Sequence, residues 1–191
     1  MPVRSRFRGA ALLLGGALFV AWACASPRPA VAPAAEGSAP GRVIRGVPFL
    51  PQEEDSCGPS SLAMLLRFHG IRAETGELVV ETRTTGIQGT LITDLAAAAR
   101  RRGLAVEVAT LDVLALRRQI ASGEPVIVLV DLGVWAWSRP HYLLVYGTTK
   151  DGVVAHSGRT EGEVIPYGTL DAEWAKMGRL AIVVVGKGSA P

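Results

Sequence analysis

Apolar residues recur along this chain in two rhythms. Helical spacing dominates the first half. From Gly58 to His69 the apolar positions Leu62, Leu65 and Leu66, with His69, fall on one helical face, and Gly70 suits the C-terminal cap. Ala73 to Glu81 reads as a shorter helix. Thr82 to Thr90 is a loop holding Gly86 and Gly89, and Leu91 to Arg102 is a helix stopped by Gly103. Asp112 to Ala121 reads as another, ended by Gly123 and Pro125. The strand rhythm takes over in the second half. Leu104 to Ala109 alternates, and Val126 to Val130 is a continuous apolar run bounded by Pro125 and Asp131, the mark of a buried strand. Tyr142 to Tyr146, Gly152 to Ala155 and Leu180 to Val185 read as further strands. Lys150-Asp151-Gly152 supplies a hairpin turn, and Leu170 to Lys176 a short helix. Val43 to Phe49 is extended, because Pro48 and Pro51 keep it out of a helix. Helices early and strands late predict an α+β domain rather than an alternating parallel sheet.

The N-terminal stretch follows neither rhythm. Arg4, Arg6 and Arg8 precede an apolar run from Ala10 to Val20, and small residues follow before Cys24. That order is the charged, apolar and small-residue pattern of a secretory signal, here residues 1–23. The run is short for a membrane-spanning helix. Cys24 after Ala21-Trp22-Ala23 resembles a bacterial lipoprotein box, which makes Cys24 the expected lipid attachment point; the other reading is a secreted protein cut nearby. Residues 24–41 are rich in Ala and Pro and read as a tether. The folded domain is expected over 42–186, with a tail at 187–191. The expected location is the cell envelope, with the domain membrane-anchored and facing the periplasm.

Composition changes the picture little. The chain has 191 residues, nearly half of them apolar, which suits one domain with a sizeable core. The net charge of +3 owes much to the first arginines. No basic stripe interleaved with aromatics is present, so no nucleic acid is expected as a partner. Arg100, Arg101 and Arg102 read as a solvated helix end suited to the helix dipole.

Cysteine usage matters more. With Cys24 lipidated or removed, the mature domain holds one thiol, Cys57. A single cysteine in an exported protein is a candidate nucleophile, although it can also be a small buried hydrophobe. Its surroundings favour the first reading. Cys57 sits where a loop turns into an apolar helix, so the positive end of the dipole favours the thiolate. Pro59 fits a first helical turn. Gln52, five residues upstream, offers an uncharged amide donor for a developing oxyanion, as does the Cys57 backbone N–H. His141 follows Pro140 at the head of an apolar strand, well held and reachable, and can move the thiol proton. His69 lies about twelve residues along the helix from Cys57, roughly 18 Å by helix rise, too far to be the base. His141 and His156 remain. No carboxylate stands near Ala155-His156-Ser157-Gly158, where a residue orienting the imidazole is expected. Ser157 can take that place through its hydroxyl, and His156 can substitute; Asp131, Asp94 and Asp151 read as outsiders. Trp135 and Trp137, just before His141, either line a substrate cleft or pack its rim.

The stretch VPFLPQEEDSCGPSSLAMLLRFHG, followed later by RPHYLLVYG, resembles family thirty-nine of the cysteine peptidases, the papain-like enzymes of the bacteriocin-processing type, and looks nearest to their exported standalone branch. The shared pattern is Gln, four residues, Cys-Gly-Pro and an apolar helix, then His opening an apolar strand. The resemblance covers most of Arg42 to Gly186. It implies a papain-like α+β fold with N-terminal helices packed on a C-terminal antiparallel sheet. It implies Cys57 as nucleophile, His141 as general base and acid, and Gln52 as oxyanion donor, with Ser157 or a neighbour where the family carries an acid. It implies a peptide or protein substrate and no cofactor. Leader-peptide cutting belongs to transporter-fused members, and no transporter segment is read in this sequence, so that substrate is not carried over.

Two other readings compete. One is a thiol amidase or transpeptidase of the same fold acting on the cell envelope. The other is a non-catalytic peptide-binding lipoprotein, supported by the missing acid and opposed by the intact Cys57, Gln52 and His141. Oligomeric state leaves no mark in the pattern.

Overall fold

The computed structural model describes residues 41–52, 56–84, 86 and 89–186. The expected signal segment, Cys24, the tether up to residue 40 and the tail 187–191 lie outside the described residues, as do Glu53, Glu54 and Asp55. Three helices come first: α1 (Cys57–Phe68), α2 (Thr75–Thr82) and α3 (Ile92–Arg101). Then follow β1 (Val106–Thr110), α4 (Val113–Ser122), β2 (Val126–Asp131), β3 (Pro140–Thr148), β4 (Gly152–Ser157), β5 (Thr160–Pro166), α5 (Tyr167–Ala175) and β6 (Leu180–Val184). The strands form one six-stranded sheet in the order β1-β6-β2-β3-β4-β5. Neighbours pair antiparallel throughout. This is the α+β architecture expected from the sequence.

The continuous apolar run of β2 has a simple cause: helices cover both faces of the sheet. All six residues of β2 are buried. Ile127 and Leu129 join a core with Leu62, Leu65 and Leu66 of α1 and Leu95 of α3. Val126, Val128 and Val130 join a second core with Leu116 and Ile120 of α4 and Leu170 and Trp174 of α5. Alternate side chains point to opposite faces, so a strand between two helical layers needs apolar residues at every position.

The single apolar face expected for α1 is too narrow. Residues Gly58 to Leu66 are all buried, Ser60 and Ser61 included. The sheet covers one side of the helix and α2 and α3 cover others, so small hydroxyls are accommodated where large polar groups would not be. His69 leaves the apolar stripe at the C-cap, where Nε2 lies 3.3 Å from Glu124 Oε2. The arginine run is not simply solvated. Arg101 and Arg102 both pair with Glu81 of α2, and Arg100 Nε donates to the Val106 carbonyl at 2.9 Å.

One strand has no counterpart in the sequence reading. β5 is charged and exposed except at Ile165 and the half-buried Gly162. It is the edge of the sheet, where polar residues are tolerated and guard against further pairing. The helix after it begins at Tyr167, ahead of the expected Leu170.

Candidate active site

Cys57 is the first residue of α1 and is half-buried. The helix brings it to the sheet through Gly58. A Cβ at Gly58 would lie 3.0 Å from Leu95 Cδ1 and 3.1 Å from Tyr142 Cδ2. Only a residue without a side chain lets the first turn sit this close to the Tyr142 ring. Tyr142 follows His141 in β3, so the contact draws the heads of α1 and β3 together. The Tyr142 hydroxyl donates to the Thr90 carbonyl at 2.9 Å, which fixes the ring. Burial, then the nearby charges of Cys57 and Asp94, push its pKa well above the usual range.

His141 pairs with Val130 across the β2–β3 ladder. Its Nε2 lies 3.5 Å from Ser157 Oγ, at the end of β4. This is a long contact and a weak orienter beside a carboxylate. Burial, and secondarily the positive charge of Arg139, pulls the imidazole down to about 4. The ring is therefore neutral near pH 7, and the same burial makes it a weaker base than a solvated imidazole. His156, the other histidine considered for the site, is elsewhere. It is buried among Tyr146 (ring centroids 4.4 Å apart) and Phe49 (5.1 Å). Its Nδ1 accepts from the Gly162 N–H at 3.4 Å. It faces away from the His141–Ser157 contact because successive residues of a strand point to opposite sides.

Gln52 is buried, 5% exposed, and doubly engaged with Gly158. Its backbone N–H donates to the Gly158 carbonyl at 2.9 Å. Its Oε1 accepts from the Gly158 N–H at 3.1 Å. Its Nε2 donates to Ser61 Oγ at 3.4 Å. An amide nitrogen carries two hydrogens, so one more remains for a ligand in the cleft. Gly158 has φ +57, a left-handed conformation that glycine adopts without strain. That turn points both of its backbone groups at Gln52.

Asp131, read from sequence as an outsider, does not touch the imidazole but does shape its approach. Its carboxylate accepts from the backbone N–H groups of Arg139 and Gly133, each at 2.7 Å, and from Ser138 Oγ at 2.9 Å. The Arg139 and Gly133 N–H groups, then Ser138, hold its pKa below the usual carboxylate range. The result is a clamped loop between β2 and β3 that delivers the chain to His141. Asp94, another of the three outsiders, accepts from Thr84 Oγ1 at 2.7 Å.

These elements enclose a cleft of about 960 Å³. Cys57, Gln52 and His141 all line it, with Gly158, Arg139 and Arg159, and an apolar wall that includes Leu91, Ile92, Leu129 and Met177. Trp135 and Trp137 are not among its lining residues. They do not pack on its rim either: they are 103% and 82% exposed. Neither sequence reading of these tryptophans describes where they lie.

Residues 48–183 match the model of the Peptidase C39 family. The chain belongs to the Peptidase C39 family. It is a cysteine peptidase. Among curated proteins none matches it. Solved structures similar in fold include a C39-like peptidase from Bacillus anthracis, 18% identical, with TM-score 0.66 over 78% of this chain and 99% of that one. The peptidase domain of Streptococcus ComA, a bifunctional ABC transporter involved in quorum sensing, is 23% identical, with TM-score 0.61 over 73% and 99%. A double glycine motif protease from an AMS/PCAT transporter, solved with its leader peptide, is 20% identical, with TM-score 0.57 over 77% and 100%.

The sequence reading gave Gly158 no part in the site and set Asp131 aside as an outsider. Gly158 left no signal pointing to Gln52, because its role lies in backbone groups. Asp131 left one: an aspartate ending an apolar strand before Leu-Gly is a signature of side-chain-to-backbone turns.

Proposed function

We propose that this C39 peptidase hydrolyses peptide bonds outside the cytoplasm through Cys57, with His141 as base and acid, Gln52 as oxyanion donor and Ser157 orienting the imidazole. The observation that carries the reading is that Cys57, Gln52 and His141 line one cleft, with His141 Nε2 turned to Ser157. That leaves Nδ1 to take the thiol proton. The sulfur then attacks the carbonyl carbon of the scissile bond. The negative oxygen is met by the remaining Gln52 amide hydrogen and by the Cys57 N–H, in a first helical turn where N–H groups point out of the helix end. Collapse breaks the C–N bond, and the leaving amine takes the proton from the imidazolium. A water deprotonated by His141 then opens the thioester, releasing a carboxylate and restoring the thiol.

The apolar cleft wall favours a peptide or protein substrate with apolar residues beside the cut. The protease solved with its leader peptide is in keeping with an extended peptide in this kind of fold. Residues 1–23 are proposed as a signal removed on export, Cys24 as the lipid anchor, 24–41 as the tether and 42–186 as the peptidase domain. The decisive experiment compares N-termini across envelope proteins from cells carrying wild type or Cys57→Ala. New N-termini present with wild type and missing with the variant support the reading. Identical sets from both would sink it.

Iodoacetamide labelling near neutral pH tests the proposed pairing of Cys57 with His141 directly. Cys57 should label faster than cysteine in solution, and His141→Ala should slow it. Labelling at the rate of free cysteine, unmoved by His141→Ala, would overturn the pairing.

A further inference from the structure

We propose that the loop from Leu132 to Arg139 is a membrane-docking element that seats its tryptophans in the interface of a lipid bilayer. Its sequence, Leu-Gly-Val-Trp-Ala-Trp-Ser before Arg139, carries no charge. Val134, Trp135 and Trp137 are 68%, 103% and 82% exposed, and Leu132 is 36% exposed. Large apolar side chains gathered at one exposed loop mark an interaction site rather than chance exposure. The loop is also built to hold them out. Asp131 clamps its two ends through Gly133, Ser138 and Arg139. Lys176 Nζ donates to the Gly133 carbonyl at 2.8 Å. The Leu132 N–H donates to the Arg139 carbonyl, and the Trp137 N–H to the Val134 carbonyl. Trp135 has φ +59, the left-handed region that bulky residues rarely enter. A framework holds a strained tryptophan in full solvent exposure, and the cleft makes no use of it.

The chemistry of the occupant follows from charge and tethering. Tryptophan is the side chain most suited to the boundary between headgroups and acyl chains, with an apolar ring and a polar N–H. Arg139 ends the loop and Arg159 stands exposed beside it on the same cleft, placed to meet anionic headgroups. Asp131, at the head of the loop, is consumed by internal hydrogen bonds; the Glu173 carboxyl, within electrostatic reach of Asp131 and Lys176, is pushed above its usual range by burial. The residues between Cys24 and Arg42 span at most roughly 60 Å when fully extended, so a lipid on Cys24, as proposed above, keeps the domain within reach of the bilayer. Docked in this way, the head of β3 and His141 would lie at the membrane surface, where a substrate emerging from the bilayer is cut.

The test uses the mature chain beginning at lipidated Cys24, as proposed above and so without Trp22, in vesicles of phosphatidylcholine and phosphatidylglycerol with and without bromine on the acyl chains. Emission then comes from Trp135, Trp137 and the fully buried Trp174. We expect bromine to reduce emission about twofold, as interfacial indoles require, and Trp135→Ser with Trp137→Ser to abolish that reduction while the Trp174 emission of the folded domain persists. Flotation of the same samples reports the Cys24 anchor separately, so a floating protein whose loop is not quenched overturns docking and leaves the anchor standing. Absent quenching overturns the proposal whether or not the protein floats. A blue shift that appears without lipid, on raising protein concentration or adding a peptide substrate, also overturns it and assigns the loop to a second copy or to the substrate.

Discussion

One substitution pair can separate the bridge that Gln52 makes to Gly158 from the oxyanion-donor role proposed for it. Its side chain is 5% exposed and its Oε1 accepts from the Gly158 N–H at 3.1 Å. Its Nε2 makes only a long bond to Ser61 Oγ, 3.4 Å. Gln52→Ala removes both. The Gly158 N–H then loses its acceptor, which costs about 1–3 kcal/mol for a buried group. A domain of this size melts about 2–4 °C lower per kcal/mol, so Tm falls by about 2–12 °C. Removal of the oxyanion donor costs about 10²–10³ in kcat. Gln52→Glu has the same shape and keeps an oxygen for Gly158. Its carboxylate accepts from the Ser61 hydroxyl but cannot donate to an oxyanion, and it sets a negative charge beside one. We therefore expect Gln52→Glu to lose kcat by at least as much as Gln52→Ala; any fall in its Tm then reports burial of a carboxylate that keeps its Gly158 partner rather than loss of the bridge. The assay is a fluorogenic peptide built on a cleavage site that wild type cuts, with melting followed by circular dichroism on the same samples. If Gln52→Glu retains a third of wild-type kcat, the amide is not an oxyanion donor. If Gln52→Ala melts like wild type, the bridge to Gly158 is worth nothing.

Three further outcomes follow from the same geometry. Since burial holds the His141 ring at about 4, kcat/KM should fall as pH falls through about 4, where the ring binds a proton and can no longer accept the thiol's. Unfolded imidazole protonates below about 6.5, so stability in urea should also decline from there towards pH 4 and then level off in this group's contribution; an acid limb at pH 6 or above refutes the buried neutral base. Ser157→Ala should cost about 2–10-fold in kcat, the worth of one neutral hydrogen bond, whereas Ser157→Asp should raise the acid limb above that of wild type; an unmoved limb would mean position 157 does not address the ring. Gly58→Ala places a methyl 3.0–3.1 Å from Leu95 and Tyr142, and should cost about 1–3 kcal/mol in urea unfolding and slow iodoacetamide labelling of Cys57. Unchanged labelling would show that the approach of α1 to Tyr142 does not set the thiol's position.

What the sequence makes legible is chemistry carried by side chains next to sharp local signals. Cys57-Gly58-Pro59 at a helix start, Gln52 just before it and His141 after Pro140 all announce themselves within a few residues. The structure sets all three on one cleft. Ser157 is legible only as a position, since a serine at a strand end has no preferred role; the 3.5 Å contact supplies one. Features that depend on distant backbone leave no local mark. Gly158 serves Gln52 through its N–H and carbonyl across 106 residues. β5 is hidden because an edge strand needs little apolar character, and its exposed face breaks the alternation that betrays a strand. The full burial of α1 is hidden for the converse reason: its serines look solvent-facing until helices are known to cover them.

Among the described residues no carboxylate stands beside His141, and this fits the rest of the site once the resting charge state is considered. An aspartate at position 157 would stabilise the imidazolium and hold a charge in a half-buried ring. Serine asks for no charge, and burial then keeps the ring neutral, consistent with a value of about 4. Orientation, the other task of a third residue, is met largely by backbone. His141 is locked in the β2–β3 ladder opposite Val130. The loop before it is clamped by Asp131. The end of β4 is tied to the nucleophile's loop by two hydrogen bonds between Gln52 and Gly158. A thiol needs less help than a hydroxyl to lose its proton, so on the proposed mechanism a rigid frame with a weak polar contact would suffice where a serine nucleophile would require the acid. The cost would be confined to the imidazolium formed in the transition state, which the hydroxyl proposed as its orienter stabilises less than a carboxylate would. Catalysis in this chain should therefore depend more on the Gln52–Gly158 bridge than on Ser157, an order opposite to that expected of a triad centred on an acid.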